Sequence, residues 1–339
     1  MSNIALSVLD QSPIAEGMTA TQALYNSLDL AARCDALGYH RYWVAEHHAS
    51  VGLAGCAPEA LIGPLALRTQ RIRLGSGGIM LPHYSPFKVA ETFSMLAALA
   101  PDRIDLGLGR APGTDGRTSY ALQRDRTRQM AVQDFPQQLA ELLAYLGDGL
   151  PEDHPFAPLK HSLPSGGGQV VPWMLGSSTD SAAWAAEVGM PYCIADFINS
   201  DGVPQAELYR RNFRPSRWLD KPYLMVATWA IAAETRQRAE ELATPARMMF
   251  AHLLQNKLIP VPSVETALAW AEGKPVFSRN RRTVLGTGAE VKEELDQVVR
   301  LYGAEELMLV NIMPDHAARV RSYELVAEAW GLESVREAA

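Results

Sequence analysis

The chain has 339 residues, with 31 lysines and arginines against 38 aspartates and glutamates, a formal charge of -7. That balance lacks the cationic excess that binds nucleic-acid phosphates or anionic membranes, and no uncharged apolar stretch reaches membrane-spanning length. Neither nucleic acid nor membrane is therefore an expected partner, while 47% hydrophobic residues allow a large core.

Cys34, Cys56 and Cys193 lie far apart and form no Cys-x-x-Cys, which argues against a disulfide framework or a structural zinc and fits a reducing cytoplasm. Met1 to Asp10 carries no signal-peptide pattern.

Short apolar runs alternate with helical patterns along the chain. Ile4–Leu9 reads as a strand and Thr21–Leu37 as a helix, with Leu24, Leu28, Ala31 and Cys34 on one face and Gly38 ending it. Strands follow at Arg41–Ala45 and Arg71–Met80, then a helix over Pro86–Ala100 with Val89, Phe93, Leu96 and Leu99 on one stripe. A strand at Arg103–Gly109 and a helix at Phe135–Tyr145 close the first half. In the second half strands are expected at Val170–Leu175, Tyr192–Asp196, Tyr223–Ala232 and Glu306–Ile312. Helices are expected at Ser181–Val188, Pro204–Asn212, Thr235–Leu254, Ala289–Tyr302 and His316–Trp330, the last with Val320, Tyr323, Val326 and Trp330 as its core stripe. Ala111–Asp134, Gly147–Gln169 and Gln255–Thr287 read as long and irregular.

Eight apolar strands alternating with helices indicate an α/β chain with a parallel sheet covered on its outer face, closed into one (β/α)8 TIM barrel over residues 1–339 with extended loops at its C-terminal face. The competing arrangement is an open doubly wound sheet, which the lack of Gly-x-Gly-x-x-Gly after the first strand disfavours.

In a barrel the functional groups lie just beyond the C-terminal strand ends. The second strand ends in Glu46-His47-His48, two adjacent histidines of which at most one faces the site. His47 suits a general acid/base or a hydrogen-bond donor, since imidazole titrates near neutral pH. The alternative is a polar cluster capping the strand; a metal site lacks the one-face helical spacing of a zinc motif. Gly75-Ser76-Gly77-Gly78 permits a bulge, an unusual peptide or close approach of a flat ligand, or else a tight bend at the rim. Arg110, directly after the fourth strand, can grip a phosphate, or pair with Asp115 or Asp125. Leu175 to Ser181 opens a helix whose N–H groups suit a phosphate, or is ordinary capping by Ser178 or Thr179. Trp43, Trp173 and Trp229 read as barrel packing in preference to the lining of a pocket.

Taken together, Arg41 to His48, Leu74 to Pro82, Arg103 to Pro112, Leu175 to Ala186 with Gly189, and Gly286-Thr287 resemble the luciferase-like flavin-dependent monooxygenases, from about Ile4 to Trp330. The resemblance implies a (β/α)8 barrel, a homodimer, and FMN bound in reduced form after transient supply by a separate flavin reductase. It further implies that oxygen adds to the reduced flavin and that the adduct oxidises a small organic substrate. It places His47 at the catalytic histidine position and Gly77-Gly78 where a backbone segment, often with an unusual peptide bond, packs against the flavin ring. Arg110, Ser178 and Ser181 fall at phosphate-binding positions with Ser177 at the same turn, and Gly273–Gly286 corresponds to a mobile lid. Where true luciferases carry a reactive cysteine before the arginine, this chain has Gly109, which argues against light emission. A deazaflavin-dependent reductase on the same barrel and a non-catalytic flavin-binding protein are the alternative readings.

Overall fold

The computed structural model describes residues 4–111, 114–123, 134–166, 168–273 and 281–333. Its strands are β1 (Ala5–Asp10), β2 (Arg41–Val44), β3 (Arg73–Met80), β4 (Ile104–Gly109), β5 (Val171–Gly176), β6 (Tyr192–Ala195), β7 (Leu224–Ala232), β8 (Thr283–Gly286) and β9 (Glu306–Val310). The first seven run side by side and in parallel; β7 pairs with β9 and β9 with β1, which closes an eight-stranded barrel. β8 stands outside that ring and pairs with Trp229–Ala232, the C-terminal extension of β7.

The helices are α1 (Ala20–Ala36), α2 (Pro58–Arg68), α3 (Pro86–Leu99), α4 (Gly116–Leu122), α5 (Phe135–Leu146), α6 (Thr179–Glu187), α7 (Val203–Asn212), α8 (Arg236–Leu253), α9 (Val264–Ala271), α10 (Gly288–Tyr302) and α11 (His316–Trp330). Local chemistry sets many of their starts. Thr19 and Thr287 open α1 and α10 as capping boxes, and Pro58 and Pro86 stand in the first turns of α2 and α3, where a missing N–H costs nothing.

All eight expected barrel strands are present, and α2, α4, α9 and β8 are additional to the sequence reading. Gly63 and Pro64 interrupt the helical pattern of α2, which forms because Ile62 and Leu65 are buried against the barrel. β8 has four residues, too few for a periodicity to show. Leu99, expected in the α3 core stripe, is 71% exposed. The buried arc of α3 is Val89, Ala90, Phe93, Leu96 and Ala97, and Leu99 lies roughly 120° round the helix from its centre. In α1 the buried face holds Ala23, Ser27 and Leu30 beside Ala31 and Cys34, so Leu24 and Leu28 sit at its margin. Residues 274–280 of the lid expected over Gly273–Gly286 lie outside the described residues.

Two apolar layers hold the barrel. One fills the space between strands and helices; the other fills the barrel itself, with Trp43, Trp173, Met225 and Met308 fully or almost fully buried. Trp43 meets Trp173 edge to face at 5.2 Å between centroids, and Trp229 packs at the mouth against Phe197 and Phe250. The three tryptophans are therefore packing residues.

The N-terminal pole of the barrel is closed by buried charge. Arg41 donates from Nη1 to Asp105 at 2.7 Å and from Nε to Glu306 at 3.0 Å, and Arg73 donates from Nη2 to the other Asp105 oxygen at 2.7 Å. Trp43 Nε1 also donates to Asp105, at 3.1 Å, and Ser7 and Tyr223 donate to Glu306. Burial by itself would raise the Asp105 pKa, but the Arg41 and Arg73 guanidinia outweigh it and hold the carboxyl below its ordinary value.

Candidate active site

The opposite pole, where the strands end, gathers the residues singled out in the sequence. Past β2, Ala45 N–H donates to Asp10 O at 2.9 Å and His47 N–H to Gly55 O at 2.7 Å, which fixes the path of the chain through the two histidines. Their side chains have different fates. His48 Nε2 lies 2.6 Å from Glu46 Oε1. His47 Nδ1 is buried with no hydrogen-bond partner among the described residues. Burial, helped by the neighbouring His48, pushes the His47 pKa down to about 4. His47 is thus a neutral imidazole at neutral pH, which corrects the expectation that it titrates there.

This has a consequence for stability. The unfolded chain binds a proton near pH 6.5 and folded His47 only near 4. Between those values the unfolded state carries more protons, so stability rises with pH; the His47 contribution is complete above about 6.5 and lost as pH falls toward 4. The loss amounts to at most about 3 kcal/mol. Urea unfolding at pH 7 and pH 4.5 should show a larger drop for the native chain than for His47→Gln, whose side chain does not titrate; equal drops would show that His47 is not held neutral.

β3 passes beside this rim. The peptide joining Gly77 and Gly78 is cis, and the register with β4 shifts between Ser76 and Ile79, so the expected bulge and unusual peptide are both present. A Cβ on Gly77 would stand 2.4 Å from Leu9 Cδ1, and one on Gly78 2.7 Å from Gly107 O. At Gly78 the obstacle is backbone, so the barrel's own packing demands glycine there; at Gly77 it is the end of the Leu9 side chain, which must shift to admit a Cβ.

Arg110 follows β4, and its Nη1 donates to Asp180 Oδ2 at 2.9 Å, in the first turn of α6. Its guanidinium also lies over the Trp184 ring, 5.3 Å from the centroid. The ion partner is thus Asp180; Asp115 instead caps α4, and Asp125 lies outside the described residues. Ser178 is the N-cap of α6 and accepts from Ser181 N–H at 3.3 Å, as the capping alternative has it. Ser181 Oγ donates to Ser178 O at 2.8 Å and lies 3.0 Å from the Tyr192 hydroxyl. Ser177 is half-buried at the same turn. Arg110 and the three serines therefore meet at one place, the start of α6.

Two features here escape the sequence reading. Asp180 and Trp184 flank Arg110 only because β4 and β5 are neighbours in the barrel. Across the mouth, buried Asp196 accepts from Thr228 Oγ1 at 2.9 Å and Tyr302 OH at 2.8 Å, with Arg282 Nε 3.4 Å away. A groove of about 500 Å³ lined by Glu16, Met18, Gln22, Arg238, Val264 and Asp315 contains none of the candidate residues. Among the described residues no group of three or more His, Cys, Asp or Glu side chains is arranged to hold a metal, and no helix is long and apolar enough to cross a membrane.

The C-terminal rim of this closed parallel (β/α)8 barrel thus carries His47 after β2 and Arg110 after β4, beside the start of α6. The family model described as "Luciferase-like monooxygenase" matches residues 4–305, and the chain belongs to that family. It is 40% identical over 330 residues to a luciferase-like monooxygenase of Escherichia coli strain K12, with 96% of each chain covered. It is 36% identical over 330 residues to the N-acetyl-S-alkylcysteine monooxygenase of Bacillus subtilis strain 168, covering 96% of this chain and 98% of that one. The crystal structure of apo-MsnO8 superposes with a TM-score of 0.89 at 37% identity, over 98% of this chain and 99% of that one. The fold recurs at 19% identity and a TM-score of 0.73 in a type II Baeyer-Villiger monooxygenase of Pseudomonas putida in complex with FMN, covering 99% of each chain. It recurs again at 14% identity and a TM-score of 0.63 in an F420-dependent secondary alcohol dehydrogenase, over 96% of this chain and 99% of that one.

Proposed function

We propose that the protein is an FMN-dependent monooxygenase that uses reduced flavin and molecular oxygen to oxygenate a small organic substrate. The observation that carries this reading is the meeting of Arg110 with the N-terminus of α6 on the same rim as His47. The donor set fits a flavin phosphate. Arg110 presents a fork of five N–H donors, of which Nη1 donates to Asp180, and the first turn of α6 adds backbone N–H groups and partial positive charge. Reduced FMN, when bound, supplies the electrons that activate oxygen. Arg110, Ser177, Ser178 and Ser181 hold its phosphate, Gly77 and Gly78 offer a flat backbone surface, and the apolar barrel interior excludes water. His47 holds a proton on one ring nitrogen and offers the other as an acceptor beside the reacting atoms. The reduced flavin comes from a separate reductase by transient contact.

Arg110→Ala should weaken FMN binding about tenfold to a hundredfold, the worth of one charged hydrogen bond. Riboflavin, which lacks the phosphate, should bind the variant almost unchanged, and Asp180→Asn should tighten FMN by freeing the guanidinium. Fluorescence titration with FMN, riboflavin and F420 measures all three; equal losses for FMN and riboflavin would remove the phosphate role, and preferential binding of F420 would favour the reductase alternative. Oxygen uptake with reduced FMN is then followed over a panel of thioethers and ketones, with an N-acetyl-S-alkylcysteine included on the strength of the Bacillus subtilis relative.

A homodimer is the proposed assembly. Leu67 on α2 and Met95 and Leu99 on α3, two helices in contact, are 91%, 52% and 71% exposed, large apolar side chains that a second copy would cover. Sedimentation should give a dimer, and Leu67→Glu combined with Leu99→Glu should give a folded monomer. A native chain that sediments as a monomer at all concentrations would end the proposal.

A further inference from the structure

Glu46 is a fully buried carboxylate immediately before His47. Its Oε1 accepts from the Tyr84 hydroxyl at 3.0 Å and faces His48 Nε2 at 2.6 Å; its Oε2 accepts from Met80 N–H at 2.9 Å. The three partners come from the residue after His47, the last residue of β3 and the turn that follows it. A buried carboxylate is tolerated only when its oxygens are satisfied, and here every donor belongs to the two chain segments that frame the rim around His47. The turn is further tied to His48 by an edge-to-face contact of His83, 5.9 Å between centroids.

We propose that Glu46 is a positioning residue for His47: it clamps the chain beyond β2 to the end of β3, so that the His47 ring keeps one orientation on the rim. The inference rests on the reading of His47 as the group that acts on the reacting atoms. It assigns His48 the role of a clamp member rather than a second acid/base group. Glu46→Gln keeps the shape but sets an amide nitrogen against a row of donors, which loosens the clamp without opening a cavity.

The test is a double-mutant cycle of Glu46→Gln and His47→Ala. Its readouts are the affinity for oxidised FMN, the rate at which reduced FMN on the protein is oxidised by dissolved oxygen, and the NMR resonances of the His47 ring in the flavin-free protein, which report its orientation. Glu46→Gln should change FMN affinity less than threefold, lower the oxidation rate about tenfold as a small misplacement does, and shift the His47 ring resonances. In the His47→Ala background Glu46→Gln should have no further effect on the rate. An equal rate loss in both backgrounds, or no loss in either, would overturn the inference while leaving His47 its role. An unchanged rate for His47→Ala alone would overturn the reading of His47 and the inference with it. If Glu46→Gln does not fold, Tyr84→Phe removes one donor and keeps the carboxylate; it should give a two- to threefold loss that vanishes in the His47→Ala background, and a loss that persists there would overturn the proposal.

Discussion

Replacing His47 by alanine is expected to cut turnover by about 10²–10⁴-fold while leaving FMN affinity within a few-fold. The expectation follows from the different situations of the two adjacent histidines. Glu46 engages His48, whereas the Nδ1 of His47 is buried and has no partner among the described residues. A buried polar atom without a partner costs free energy, and such a cost is retained where a ligand or reacting group completes the bond. Burial holds the His47 pKa down to about 4, so the role proposed for it is that of a neutral hydrogen-bonding group or base. The part of the rate that depends on it should therefore stay level from about pH 5 to 8 and fall only toward pH 4. His48→Gln is the control and should cost less. Steady-state turnover with a substrate found by oxygen uptake measures both; a His47→Ala enzyme with native turnover would remove His47 from the chemistry.

Asp105→Asn should destabilise the fold by about 3–5 kcal/mol, the cost of breaking a buried charge network by removing one partner. Asp105 has no solvent exposure and receives Arg41, Arg73 and the Trp43 indole N–H. The amide would leave Arg41, itself almost fully buried against the Trp173 ring, with Glu306 as its remaining counter-charge. The loss should appear in urea unfolding as a lower midpoint at unchanged slope. FMN affinity measured on the folded variant should not change, because the network closes the N-terminal pole and Arg110 lies at the other. A midpoint equal to that of the native chain would show that the network contributes nothing to stability.

Strand order and barrel closure were legible because each strand is an apolar run bounded by turn residues, and eight such runs between helices admit few arrangements. β8 and α2 were not, one being too short for a period and the other interrupted by Gly63-Pro64. The stripe of α3 was misplaced at Leu99 because spacing fixes which residues share a face but not how far the buried arc extends.

At the site the sequence supplied the groups and the tertiary structure supplied their relations. Glu46-His47-His48, Gly77-Gly78, Arg110 and the serines after β5 are visible as residue types at strand ends, and barrel geometry alone puts strand ends on one face. That the buried Nδ1 of His47 has no partner among the described residues while His48 engages Glu46 is decided by Met80 at the end of β3 and Tyr84 in the turn after it, which hold Glu46 in place. That Arg110 meets Asp180 and Trp184 is decided by the pairing of β4 with β5. The residues at 77 and 78 left ligand approach and a tight bend equally open; the Gly107 backbone, far off in sequence, already excludes a side chain at Gly78. A sequence determines period, caps and chemistry because these depend on neighbours a few residues apart; burial, pairing and pKa depend on groups brought together by closing the barrel, which no local pattern encodes.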